Sequence, residues 1–257
     1  MVYYLYGLTR ADNRLEAPEL ASVQKVACSD VTALVEQVEE DDFGPESLDR
    51  NLASLDWVAR TARRHEAVLG AAMVGGPVIP ARLCTVFTDA TVVLESVAAD
   101  LARFSSVLRY LEDRAEWGLK VYRDDERLDA ALGDSDPALM ALLEAARGAG
   151  PGTSYLLRRK QEARRAELRE RREAAAIDSV LDGLGSLPVV LQRRPVLAGE
   201  ITGHTLPMVL NVAALVRASE LLAYHAEVQV LTADLQRDGF TVESSGPWPP
   251  YSFVQEA

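Results

Sequence analysis

The sequence predicts an α+β fold in two domains, residues 1–123 and residues 124–257. Three observations carry that prediction. Residues 1–123 read as β-β-β-α-β-α-β with several short β–β links, which favours a sandwich with helices on one face of an open sheet over a doubly wound fold. An acidic, alanine-rich stretch then leads into Gly148-Ala149-Gly150-Pro151-Gly152, the best linker candidate in the chain. The remainder reads as a smaller α-β-β-α-β unit with a long charged helix and an extended C-terminal tail.

Each element has a local reason. Val2–Leu8 (VYYLYGL) is β-branched and aromatic and reads as a strand, with Gly7 marking a bulge or its end. Ser22–Ala27 and Val31–Val38 follow as strands around a tight turn at Ser29-Asp30. The acidic run Glu39–Asp42, closed by Gly44-Pro45, reads as a solvated loop. Residues 51–73 form the clearest helix, with Leu55, Val58, Ala62, His65, Leu69 and Ala72 as its stripe and Gly75-Gly76-Pro77 as its stop. Val78–Phe87 reads as one buried strand, or two broken by Pro80. Leu94, Val97, Leu101, Phe104, Leu108 and Leu111 mark one further helix, and Glu116–Tyr122 a strand.

In the second half, Asp124–Arg147 reads as one or two short helices. A long helix runs from about 153 to 183, with Thr153 or Ser154 as its cap. Leu187–Gln192 and Met208–Val216 read as strands, the latter apolar on both faces as a central strand would be. Ser219–Gln236 is an amphipathic helix with Leu221, Tyr224, Val228, Leu231 and Leu235 as its stripe, and Phe240–Glu243 a last strand.

Composition bounds the function. With 257 residues, 48% of them apolar, the chain can bury a sizeable core. A net charge of −12 excludes a protein whose whole surface binds nucleic acid or anionic membrane. The longest apolar runs, such as Met208–Val216, are too short to span a bilayer, and MVYYLYGLTR has no signal-peptide pattern. Cys28 and Cys84 read as two reduced, buried thiols of a cytoplasmic protein.

Site chemistry is sparse. His65, His204 and His225 are the only histidines. His65-Glu66 opens like a zincin motif, but Leu69 stands where the second histidine belongs, so His65 reads as buried and hydrogen-bonded. His204 reads as exposed, and no metal or cofactor site is expected. Gly148–Thr153 lacks the Gly-Lys-Ser/Thr ending of a phosphate loop, and no G-x-S-x-G elbow occurs. Arg158–Glu173 carries 8 basic and 4 acidic residues. Spacing predicts the pairs Arg158–Glu162, Glu162–Arg165 and Glu167–Arg171, each worth about 0.2–0.5 kcal/mol. This helix reads as a solvated face or as a contact for an acidic partner through Arg158, Arg159, Arg164, Arg165 and Arg169. It lacks aromatics for stacking on bases.

Residues 78–87 (VIPARLCTVF), 116–122 (EWGLKVY), 150–159 (GPGTSYLLRR), 208–212 (MVLNV) and 246–254 (GPWPPYSFV), with the opening YYLYG and His65-Glu66, resemble the signature blocks of the gas vesicle protein GvpF/GvpL family. Ala81 and Cys84 depart from the leucine and glycine typical of their block, and a glycine at 84 could take backbone conformations that cysteine cannot. The resemblance implies a non-enzymatic accessory protein of gas vesicle assembly. It would be a minor vesicle component, cytoplasmic before assembly, that binds the hydrophobic shell protein and other accessory proteins and limits shell aggregation during nucleation. It also implies two α+β domains, the first a modified ferredoxin-like sandwich, and no catalytic residue, nucleic acid or membrane partner. The alternatives are a nucleic-acid-associated regulator using helix 158–173 and a small-molecule enzyme on a ferredoxin-like scaffold.

Pro247-Trp248-Pro249-Pro250 contains a P-x-x-P pattern that an SH3-like groove could read. Trp248, Tyr251 and Phe253, if fully buried, contribute on the order of 5–8 kcal/mol together. The prolines withhold N–H donors, which suits a strap rather than a sheet strand. The sequence therefore predicts a C-terminal latch packed on its own protein.

Overall fold

The computed structural model describes residues 1–133, 136–199 and 203–254. They form a mixed α/β protein with two largely antiparallel sheets. Contacts divide the chain into two compact units, Met1–Glu116 with Pro247–Ala257, and Trp117–Gly246. The sequence boundary at 123/124 thus lies a few residues downstream of the 116/117 division, and the tail groups with the first unit.

The first unit holds β1 (Val2–Arg10), β2 (Gln24–Cys28), β3 (Val31–Val38), α1 (Glu40–Phe43), α2 (Pro45–Asn51), α3 (Leu55–Met73), β4 (Val78–Pro80), β5 (Val86–Phe87), α4 (Ala90–Ala99) and α5 (Leu101–Tyr110). Its sheet runs β2-β3-β1-β4, with β5 also on β1, and all these pairings are antiparallel. The β1–β3 register slips between Leu5 and Gly7, so Gly7 marks a bulge. A Cβ on Gly7 would sit 2.5 Å from the Ile79 carbonyl oxygen, so the close strand approach needs glycine. Ser29 takes a φ of 55° in the predicted turn before β3.

The helices differ from the sequence reading in four ways. The acidic run is solvated at Glu39, Glu40 and Asp41, as expected, but it is helical from Glu40 rather than a loop. Glu40, Asp41 and Asp42 open α1, where carboxylates suit the positive end of the peptide dipoles, and Phe43 packs into the core. The stripe of α3 is shifted: Leu55 is 85% exposed, whereas Trp57, His65, Val68, Leu69 and Ala72 are buried. Ser54 caps this helix by accepting from the Trp57 N–H. The helix through Leu94–Leu111 is two, α4 and α5, broken at Asp100, where the backbone leaves helical geometry. Finally, the helices do not lie on one face. Leu34 joins Tyr4, Tyr6, Val68 and Leu69 of the cluster under α3. Val31, Ala33 and Val35 alternate to the opposite face and are fully buried too, with α4 and α5 packed along β1–β4.

The second unit takes in most of β6 (Arg114–Arg123), then α6 (Asp125–Gly133), α7 (Pro137–Arg147), α8 (Pro151–Gly185), β7 (Val190–Arg193), β8 (Met208–Arg217), α9 (Leu221–Arg237) and most of β9 (Phe240–Trp248). The sheet order is β7-β8-β6-β9. β8 is buried from Met208 to Val216, as a central strand should be. Its Leu210, Val212, Ala214 and Val216 share a core with Ala176, Val180 and Leu184 of α8 and Tyr224, Val228 and Leu231 of α9. The cap of α8 is Gly150, with Pro151 in its first turn, not Thr153 or Ser154. Gly239 turns the chain into β9 with a φ of 86°, and a Cβ there would meet the Leu128 backbone nitrogen at 2.5 Å. β9 runs on through Pro247 and Trp248, so the tail begins as strand before its 3₁₀ turn at Tyr251–Phe253.

Candidate functional site

The polar centre of the first unit is built by β1 and α3. Strand alternation puts Tyr4 and Tyr6 on one face of β1, and helical spacing puts His65 beside Val68, Leu69 and Ala72. The Tyr4 hydroxyl is 2.8 Å from His65 Nδ1 and accepts from the Cys84 N–H at 3.1 Å. His65 is 1% exposed, and burial pulls its pKa down to about 4, so the ring is neutral at physiological pH. Burial likewise pushes the Tyr4 hydroxyl far above its usual range. His65 is thus a buried, hydrogen-bonded core residue.

Cys84 adopts a φ of 64°, the left-handed region that glycine occupies freely. That conformation aims its N–H at Tyr4. Neither cysteine is in a disulfide, and both are half-buried.

Beside this centre lies a cavity of about 270 Å³, lined among others by Tyr6, Phe43, Trp57, Glu36, Arg60 and Arg64. Glu36 accepts from Tyr6, Ser22 and Arg64. Burial raises its carboxyl, but those hydrogen bonds together outweigh burial and hold it below the usual range. Trp57 Nε1 donates to Asp42 Oδ1 at 2.9 Å, as does Asn51. These groups satisfy one another, an arrangement that fixes α1 and α3 on the sheet. Sequence reasoning missed this cluster. Its one signal is an acid, Glu36, inside an apolar strand run.

The tail closes the same unit. The Tyr251 hydroxyl donates to Glu66 Oε1 at 2.8 Å, and its ring stacks on His65 at 6.5 Å. Ser252 gives Glu116 both its N–H and its hydroxyl, at 2.8 and 2.9 Å, and Glu116 is only 2% exposed. Tyr251 packs against the core cluster and Phe253 is half-buried, but Trp248 is 44% exposed.

In the second unit, α8 turns much of its basic face inward on neighbouring acids. Arg164 bonds Asp136 at 2.6 Å, and Arg169 grips both oxygens of Asp129 at 2.7 and 2.6 Å. Arg165 also pairs with Asp129, at 3.1 Å, and not with Glu162. Asp136 does double duty: it caps α7 through the Leu139 N–H, and the arginine contact lowers its pKa. Of the pairs predicted by spacing, Glu167–Arg171 forms at 3.2 Å. Arg158 and Arg159 are exposed, with no ion pair among the described residues. His204 is not simply exposed. It stacks on Tyr122 at 3.8 Å and accepts from the Leu206 N–H. Among the described residues no three His, Cys, Asp or Glu side chains converge to hold a metal ion, and no helix is long and apolar enough to cross a membrane.

Comparison with known proteins agrees with this architecture. The solved structures it resembles include the gas vesicle protein GvpF from Anabaena sp. PCC7120, with TM-score 0.70 at 19% identity over 99% of this chain and 98% of that one. GvpF from Microcystis aeruginosa superposes with TM-score 0.67 at 19% identity, over 99% of each chain. In sequence, the chain is 32% identical to gas vesicle protein L of Streptomyces sp. (strain CB03234) over 88% of its own length and 80% of the relative's. It is 28% identical to gas vesicle protein F of the same organism over 76% and 78%. The family described as gas vesicle synthesis protein GvpL/GvpF matches residues 2–255. A chain matched from its second residue to near its last, in sequence and in fold, belongs to the GvpL/GvpF family of gas vesicle proteins.

Proposed function

We propose that the protein is a non-enzymatic accessory factor of gas vesicle assembly, cytoplasmic before assembly, that binds the hydrophobic shell protein and limits its aggregation during nucleation. The observation that carries this reading is the family match across residues 2–255. The physics is compatible. A subunit that polymerises through apolar β-rich surface is kept soluble by a partner that covers an edge or patch before assembly. β2 ends the order of the first sheet, and its side chains are exposed or half-buried, so it offers an edge for strand addition. The surface around the C-terminal tail, where Trp248 is exposed, is the second candidate. In this reading the first unit is a modified ferredoxin-like sandwich, and Tyr251 with Ser252 latches it. The nucleic-acid alternative is weakened because Arg164, Arg165 and Arg169 are spent on Asp136 and Asp129.

The test mixes the purified chain with the shell subunit as it is diluted from denaturant, and follows light scattering and co-purification. A soluble complex and a delayed rise in scattering are expected. No complex and no delay would sink the reading.

A further inference from the structure

Of the eight cations of α8, Arg171 pairs with Glu167 inside the helix, and the other seven fall into two groups. Arg164, Arg165, Arg169 and Arg172 meet acids from outside the helix, at Asp136, Asp129 and Asp238. Arg158, Arg159 and Lys160, nearer the start of the helix, are exposed and pair with no carboxylate among the described residues. Immediately before them stand two large apolar side chains in water, Tyr155 at 63% and Leu156 at 60% exposure.

Helical spacing puts Tyr155, Leu156 and Arg159 on one stripe, with Arg158 on one flank and Lys160 on the other. Gly152, Tyr155, Leu156, Arg159 and Ala163 follow the i, i+3, i+4, i+7 pattern, and all are exposed. The opposite stripe, Ser154, Leu157, Gln161, Arg164 and Leu168, is the half-buried one, and Gln161 bonds the Leu142 carbonyl of α7 at 2.9 Å. So α8 spends one face on its own unit and leaves an apolar stripe flanked by unneutralised cations on the other. Tyr155 and Leu156 are contiguous apolar surface that the helix's own unit leaves uncovered, and elsewhere on the helix acids do neutralise the cations. The patch from 155 to 160 spans about 8 Å of helix, a short anchor rather than a track. On a chain of net charge −12, an extended polyanion would meet repulsion beyond it.

We propose that the Tyr155–Lys160 face of α8 docks an acidic segment of a partner protein. Apolar side chains of that segment lie on Tyr155 and Leu156, and its carboxylates meet Arg158, Arg159 and Lys160. The surface belongs to the second unit, whereas β2 belongs to the first, so this docking stands or falls independently of shell-protein binding.

The probe is a fluorescein-labelled 16-residue peptide with leucine and phenylalanine at i, i+3, i+4 and i+7 and glutamate elsewhere. It is titrated with the full chain and read by anisotropy. Controls are a lysine-for-glutamate peptide, a peptide of the same composition scrambled to break the stripe, a short DNA duplex and anionic lipid vesicles. Saturable binding of the acidic stripe peptide is expected, with at least tenfold weaker binding of the two control peptides and weakening from 50 to 500 mM salt. Y155S/L156S and R158E/R159E/K160E should each lower affinity at least tenfold with unchanged thermal melts, while Arg171→Gln leaves it within twofold. Absence of binding, binding indifferent to both variants, or tighter binding of DNA or vesicles through the same residues would overturn the proposal.

Discussion

The two units use polar groups in opposite ways. In the first, tyrosine hydroxyls, a histidine and carboxylates sit inside the apolar packing: Tyr4 on His65 and Cys84, Tyr6 on Glu36, Ser252 on Glu116. In the second, the core is mostly aliphatic, and charge is placed at the rim of α8, where Asp129 and Asp136 meet arginines in partly exposed pairs. A buried polar group stranded without its partner costs the full desolvation penalty, whereas an exposed pair exchanges its partner for water. The lesson is that similar hydrogen-bond geometry implies brittleness in one unit and tolerance in the other.

The largest expected effect is removal of residues 246–257. It takes the tyrosine donor from Glu66 and two donors from buried Glu116, together with the packing of Tyr251. A loss of about 4 kcal/mol is expected, a fall of roughly 10 °C in the melting temperature by calorimetry. Unchanged melting with loss of partner binding would make the tail a bait and dissolve the contrast.

Next is pH. Burial sets His65 at about 4, below its unfolded value near 6.5, so the unfolded chain takes up a proton first as pH falls. The stability from neutral His65 is present above about 6.5 and is lost as pH drops toward 4. The difference corresponds to about 3–4 kcal/mol. Denaturant melts from pH 7.5 to 4.5 should show this slope, and His65→Gln should flatten it while lowering stability at pH 7.5.

Third, Cys84→Gly should raise stability by about 1 kcal/mol, because a left-handed backbone costs a Cβ-bearing residue roughly that much. A loss of stability in urea melts would mean that the half-buried thiol contributes more than its backbone costs. The smallest effect is in the second unit. Asp129→Asn removes the grip on Arg165 and Arg169, yet should cost under about 1 kcal/mol, since these groups are partly exposed. A loss of 3 kcal/mol there would erase the distinction between the units.

What was legible in the sequence was local. The β1 bulge at Gly7, the turn at Ser29 and a buried His65 follow from single residues in their strand or helix context, whereas Cys84 drew notice only through the family resemblance and adopts the left-handed backbone that was reserved for glycine. What was hidden depended on partners far along the chain. Arg165 stands three residues from Glu162, but Asp129, brought near by the packing of α6 on α8, wins it. Asp42 looked solvated like its exposed neighbours because nothing nearby in sequence shows that Trp57 needs it. Trp57 replaced Leu55 on the buried stripe for the same reason: two residues of phase are set by what the helix meets, and spacing alone does not fix them.

The division of the chain also has a temporal side. The first unit comprises residues 1–116 and residues 247–257, so a ribosome finishes it only after making the whole of the second. A product interrupted anywhere in between leaves Glu66 without Tyr251 and Glu116 without Ser252. The unit whose synthesis begins first is therefore completed only once Tyr251 and Ser252 have been added, and until then its buried Glu116 waits for two of its donors.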